Sequence, residues 1–147
     1  MQIKKWILVF LALIVLFSVV LASKSDTSDA GDITLQELKV HTNLTPALEA
    51  AKVQSKPIFV YARSESCGWC KKFEAETFMN KSVAGILNEK FILVSIDVYK
   101  QKNETRNFRV QGTPTEIFLD SNGTEIKRIP GYTDTETFLD SINDISK

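Results

Sequence analysis

An apolar, β-branched run, Pro57-Ile58-Phe59-Val60-Tyr61-Ala62, leads through a short loop into Cys67-Gly68-Trp69-Cys70. The second cysteine opens a stretch of helical character, Cys70-Lys71-Lys72-Phe73-Glu74-Ala75-Glu76-Thr77-Phe78. A continuous apolar strand is expected to be buried on both faces, which requires a sheet with helices on either side. A thiol at the start of a helix faces unpaired backbone N–H groups and the positive end of the macrodipole, and both favour thiolate over thiol. The thiolate is the species that attacks a disulfide, and a second thiol one turn later can resolve the mixed disulfide. Strand, Cys-x-x-Cys and helix in that order form a redox-site layout.

Competing uses of the cysteines fit less well. A structural zinc site needs about four ligands, and the chain offers two Cys and one His in all. His41 lies in a polar stretch and reads as a solvated loop residue, so no metal site is expected. A static disulfide across so small a loop gains little chain entropy. Cys67, at the exposed helix start, is expected to be the attacking thiol and Cys70, one turn in, the more buried resolving thiol. Arg63, Lys71 and Lys72 are near enough in sequence to support a thiolate, although lysines on such a helix are ordinarily a solvated face.

From about Leu44 to Ile145 the chain resembles the thioredoxin superfamily. The resemblance is carried by Phe59-Val60-Tyr61-Ala62, Cys67-Gly68-Trp69-Cys70, Ser95-Ile96-Asp97, Gly112-Thr113-Pro114-Thr115 and Gly131. Cys70-Lys71-Lys72-Phe73-Glu74, Thr77-Phe78 and the segment from Gly131-Tyr132 to Thr137-Phe138 look most like the C-terminal thioredoxin-like domain of DsbD-type thiol reductases. The resemblance implies an α/β thioredoxin fold, a central mixed β-sheet flanked by helices on both faces. It implies a redox-active Cys67–Cys70 disulfide and no cofactor. It further implies that Pro114 follows a cis bond beside the disulfide, with Thr113 offering its backbone to an extended substrate, a strand-addition mode of binding. Trp69, exposed between the cysteines, is expected either to touch a partner chain or to pack on neighbouring side chains.

Two positions depart from the family pattern. Thioredoxins usually carry a buried Asp six residues before the first active-site Cys, where this chain has Tyr61. They often carry a Lys four residues before the Asp of the third strand, where it has Leu93. The usual proton-handling pair is missing, yet Cys70 must still lose a proton. Glu74, four residues beyond Cys70 and seven beyond Cys67, falls on the same helix face. The DsbD-type domains carry an acid at the matching position, so Glu74 is the candidate for proton transfer, its pKa expected to be raised by burial and the thiolate.

The remaining sequence divides simply. In Met1–Ala22, Lys4 and Lys5 precede the uncharged apolar run 6–22. Residues 1–22 therefore read as a signal anchor or a signal peptide cleaved near Ala22, the length of the run favouring the anchor. Either reading places the rest extracytoplasmic, where disulfides are managed. Residues 23–43 are polar and read as a flexible spacer, and 44–147 as the folded domain. Zero net charge and the lack of a basic run give no support for nucleic-acid binding. Asn43, Asn80, Asn103 and Asn122 begin Asn-x-Ser/Thr triplets and read as caps and turns.

Within the domain, helices are expected over 47–52, 82–88 and 104–108, and strands over 57–62 and 91–98. A hairpin of 115–120 and 125–129 turns about Asn122-Gly123. A last helix opens on a capping box at Thr133-Asp134-Thr135-Glu136. The leading functional expectation is an extracytoplasmic, membrane-tethered reductase of disulfides in client proteins, supplied with electrons by a membrane or soluble thiol donor. An oxidase or isomerase, a non-catalytic binding module, and a metal or haem-protein maturation carrier are the alternatives.

Overall fold

The computed structural model describes residues 32–147. The sequence expectations that fall on 1–31, including the apolar segment 6–22 and a cleavage near Ala22, lie outside the described residues. Among the described residues no helix is long and apolar enough to cross a membrane.

Six strands form one mixed sheet: β1 Asp32–Leu35, β2 Leu38–His41, β3 Ile58–Arg63, β4 Ile92–Asp97, β5 Thr115–Leu119 and β6 Glu125–Pro130, in the spatial order β1-β2-β4-β3-β5-β6. β3 lies at the centre, parallel to β4 and antiparallel to β5. The helices are α1 Leu44–Gln54, α2 Gly68–Phe73, α3 Lys81–Lys90, α4 Lys102–Asn107 and α5 Thr135–Ile145; α2 runs on into a π-helical turn, Glu74–Phe78.

Alternation along the central strands sorts side chains to two cores. Phe59, Tyr61, Leu93 and Phe118 point to one face, where they pack with Cys70, Phe73, Phe78, Leu87, Phe138 and Ile142 from the α2–α3–α5 side. Ile58, Val60, Val94, Ile96, Ile117 and Leu119 point to the other and meet Ala47 and Ala51 of α1. Helices therefore cover both faces, as the apolar runs require. The first core is dense in aromatic rings, with centroids 5.0 Å apart for Tyr61–Phe78 and 5.1 Å for Phe73–Phe138. Such edge-to-face contacts add to area burial and fix the floor under α2.

One expectation is corrected. Residues 32–41, read as part of the flexible spacer 23–43, form the β1–β2 hairpin, with Ile33 opposite Val40 and Leu35 opposite Leu38. β2 joins the sheet edge beside β4 through His41 and Val94, so His41 ends a strand and is not a loop residue. Leu35, Leu38 and Val40 are buried in the first core. The period-two pattern is only a few residues long and sits among polar neighbours. It gains its apolar partner from β4, far along the chain.

The caps follow the turn chemistry closely. Asn43 accepts from Thr45 N–H at the start of α1, and Asn80 accepts from Ser82 and Val83 N–H at the start of α3. The last helix begins one residue later than its capping box suggested: Asp134 is the N-cap, accepting from Thr137 N–H at 2.9 Å. The carboxylate shoulders the cap in place of the Thr133 hydroxyl because it reaches both the Thr137 amide and its hydroxyl. In the β5–β6 turn Gly123 has φ +90°, and a Cβ there would meet Leu48 at 2.8 Å, so the position needs glycine.

Candidate active site

Cys67 is the N-cap residue of α2, and its Sγ accepts the Cys70 backbone N–H at 3.0 Å. The two cysteines are joined as a disulfide, with Cα atoms 5.2 Å apart. Cys67 is half-buried at the helix start, whereas Cys70 is 0% exposed. An incoming sulfur can therefore reach the first cysteine and not the second. Burial against Phe73 holds α2 on the first core, and with it the height of Cys67 above the sheet.

Beneath the pair lies a polar group set in an aromatic floor. Tyr61 occupies the β3 position where an acid is usual, and its hydroxyl donates to the Cys70 carbonyl at 3.3 Å and to Glu74 Oε1 at 3.2 Å. Burial, and then the carboxylates of Glu74 and Glu116, push the Tyr61 phenol far above its ordinary pKa, so it remains a donor. Glu74 is 6% exposed, on the same buried helix face as Cys70, as the spacing demanded. Its carboxylate is tied to Arg63 Nε at 2.7 Å, a partner that the sequence reading did not foresee. Arg63 is thus spent on Glu74 and not on a thiolate.

A second acid sits across from Tyr61. Glu116 of β5 pairs in register with Tyr61 of β3, so their Cβ atoms are about 5 Å apart on the same face. It is 0% exposed, and neither carboxylate oxygen has a hydrogen-bond partner among the described residues. Burial pushes its pKa up to about 8; the residue's own amide, not in hydrogen-bond geometry, offsets this slightly. The group binds a proton more tightly folded than unfolded, so its contribution favours the fold below about pH 4.5 and is lost as pH rises through about 8. A decline on the order of several kcal/mol between pH 5 and 9 is expected in the unfolding free energy. Glu116→Gln should flatten it, as urea titrations across that range will show.

The rim is aromatic. Trp69 is 59% exposed, and its ring stacks at a tilt 5.3 Å from Tyr132. Lys72 places its ammonium 5.4 Å from the Trp69 ring centre and 4.8 Å from that of Tyr132, a cation–π contact that fixes the ledge. Tyr132 also donates to Glu76 Oε2 at 2.7 Å. Of the two expectations for Trp69, packing on neighbours is therefore met, while most of the ring remains available. The Thr113–Pro114 peptide bond is cis. Trp69, Thr113, Pro114, Gly131 and Tyr132 line a cleft of about 330 Å³. A larger cavity, about 600 Å³, continues beyond Thr113 and Gly131 past Arg109 and Arg128. Arg128 there is bound to Glu125 and the Phe108 carbonyl, and only the smaller cleft is lined by Trp69, the residue between the two cysteines. Thr113 makes no backbone hydrogen bond among the described residues. No group of three or more His, Cys, Asp and Glu among them is placed to hold a metal.

A family profile described as a thioredoxin-like domain matches residues 44–146. The chain belongs to the thioredoxin-like family. Among curated proteins, the thiol:disulfide interchange protein DsbD of Ralstonia nicotianae is 28% identical over 131 residues, 86% of this chain and 22% of that protein. The chain thus spans about a fifth of that relative's length. Among solved structures, a thioredoxin from Thermus thermophilus is 27% identical with a TM-score of 0.62, covering 68% of this chain and 81% of the other. The C-terminal domain of DsbD from Neisseria meningitidis, in the reduced form, has a TM-score of 0.60 at 18% identity, covering 69% and 93%, and shares the fold. The chain is thus a thioredoxin-like domain with an intact Cys-x-x-Cys disulfide.

Sequence reasoning missed three members of this thioredoxin-like site: Glu116, Tyr132 as the partner of Trp69, and Arg63 as the partner of Glu74. Only Glu116 left a local signal. A lone acid in Thr115-Glu116-Ile117-Phe118-Leu119, a strand otherwise fit for burial on both faces, is a charge without an outlet to water.

Proposed function

We propose that this thioredoxin-like domain is an extracytoplasmic reductase of disulfides in client proteins, tethered to the membrane by residues 6–22. Cys67 attacks as thiolate: a Cys67–client disulfide forms, the client S–S bond breaks and one client sulfur leaves with the electron pair and takes up a proton. Cys70 then loses its proton and attacks Cys67 Sγ; the Cys67–Cys70 bond forms and the second client sulfur leaves. The client gains two electrons and the cysteine pair loses two, which a membrane or soluble thiol donor restores. The observation that supports the reading is the disulfide itself: Cys67, half-buried, caps the start of α2 with its Sγ accepting the Cys70 amide, while Cys70 is buried behind it.

The other residues have supporting parts. The backbone of Thr113 pairs with the extended client as an added strand, Pro114 keeps that edge beside the disulfide, and Trp69 covers the client's apolar side chain. Glu74 anchors Arg63 and Tyr61 under Cys70, which takes up the capacity that a free proton acceptor would need. The extracytoplasmic placement is supported by Lys4, Lys5 and the apolar run that follows them.

The standard potential of the Cys67/Cys70 couple, with insulin reduction as the companion assay, tests direction. A value near −270 mV with brisk insulin reduction is expected. One near about −120 mV would make the protein an oxidase, and a folded protein inert towards insulin and small disulfides would reduce it to a binding module.

A further inference from the structure

We propose that Glu116 is the proton store of the cysteine pair: its carboxyl group gives a proton to Cys70 when the disulfide opens and takes it back when the disulfide closes. The inference rests on the exchange chemistry proposed above.

Three observations converge. The Glu116 side chain is fully buried, and both of its oxygens lack hydrogen-bond partners among the described residues. A carboxyl group kept for structural reasons would be hydrogen-bonded, and one kept as a charge would be paired. Next, its position is tied to the site: Glu116 is two residues after the cis bond at Pro114, faces Tyr61, and shares a sheet face with Phe118, which packs in the same core as Cys70 and Phe73. Finally, the resolving cysteine has a proton problem. Cys70 is 0% exposed, so the thiolate released from it has no access to solvent protons and is costly in an apolar site.

The surrounding charged and titratable groups leave the task to Glu116. Arg63 on β3 bonds to Glu74 of the helix above, and Lys127 on β6 donates to Ser141 of α5. Tyr61 spends its single proton on the Cys70 carbonyl and Glu74, and its raised pKa keeps that proton in place. Cys67 and Cys70 hold none while joined. With its pKa pushed up to about 8 by burial, Glu116 enters the reaction neutral at pH 7.

The step balances. A donor thiolate attacks Cys67 Sγ, a donor–Cys67 disulfide forms, and the Cys67–Cys70 bond breaks with its electron pair on the Cys70 sulfur. The Glu116 proton moves to that sulfur, leaving a carboxylate. In the closing direction Cys70 returns the proton to Glu116 as its sulfur attacks Cys67. The pair is reduced by two electrons on opening and oxidised by two on closing, while Glu116 changes only its protonation.

The test follows disulfide opening by dithiothreitol in the full chain, as a rate against pH from 5.5 to 9.5, for the native protein, Glu116→Gln and Glu116→Leu. Both variants are expected to open about 10²-fold more slowly at pH 7 and to lose an inflection near pH 8 that the native protein shows. Carboxyl ¹³C NMR of the native protein supplies a measurement that survives if neither variant folds. The Glu116 signal is expected to titrate well above the ordinary carboxylate value of about 4.3 in the disulfide form, and at a different pH in the dithiol form. An unchanged rate profile in folded variants overturns the inference, as does a Glu116 signal that titrates near pH 4 in both forms. A native protein that never exchanges fails the functional reading itself; an active protein with an unaltered profile fails this inference alone.

Discussion

Cys67→Ser is expected to abolish insulin reduction, by at least about 10³-fold, because nucleophile and resolving residue act as a unit. Cys70→Ser is expected to lose turnover equally while keeping the first half-reaction, so that a mixed disulfide with the client accumulates on Cys67. The physical basis is the difference in burial. Cys67 lies half-buried at the cap of α2 with the Cys70 amide pointing at its sulfur, and Cys70 is sealed against Phe73 and Tyr61. The same amide and helix start stabilise a thiolate, so the reduced Cys67 should titrate below the free value of about 8.5. Non-reducing gels and mass spectrometry of the two variants, with alkylation of the reduced native protein against pH, read all three outcomes. A Cys67→Ser protein that traps clients through Cys70 would reverse the assignment.

Glu74→Gln is expected to destabilise the fold by about 3 kcal/mol, the low end for breaking a buried ion pair, because the Arg63 end retains some contact with water. The variant removes the charge from the 2.7 Å contact with Arg63 while leaving an acceptor for the Tyr61 hydroxyl. A guanidinium is then left in a site built for a pair. Urea unfolding at fixed pH measures the loss, and a midpoint shift with unchanged slope identifies it as stability and not altered compactness. The exchange rate per folded molecule should keep its pH profile. A profile that moves with this substitution would instead assign the Cys70 proton to Glu74, the role its spacing on the helix suggested. Glu74 and Glu116 differ in one respect that matters here: the first is hydrogen-bonded to a cation and a phenol, whereas the oxygens of the second have no hydrogen-bond partner among the described residues.

Much of the architecture was written in local pattern. Residues 58–62 and 92–94 are apolar without a break, and only a sheet covered on both faces accommodates them. Asn43 and Asn80 mark helix starts because a short polar side chain can accept an amide within its own turn. Cys67 and Cys70 lie one turn apart at such a start, so the redox layout needs no tertiary information at all. Each of these features depends on residues within a few positions of one another, and their physics is settled by the chain's own geometry.

What the tertiary structure alone decided involves partners distant in sequence. Leu35, Leu38 and Val40 look like isolated apolar residues in a polar stretch until β4 supplies an edge and the first core supplies a surface. Arg63 reads as a free cation near a thiol until α2 folds over β3 and Glu74 reaches it first. Glu116 reads as a misplaced charge until β5 pairs with β3 and sets it against Tyr61, beneath the helix that carries Cys70. The sequence alone determined the thiol pair and the scaffold that presents it. The register of β3 with β5 and the crossing of α2 over them decided which buried groups lie under that pair, because those contacts exist only once strands far apart in the chain share one sheet.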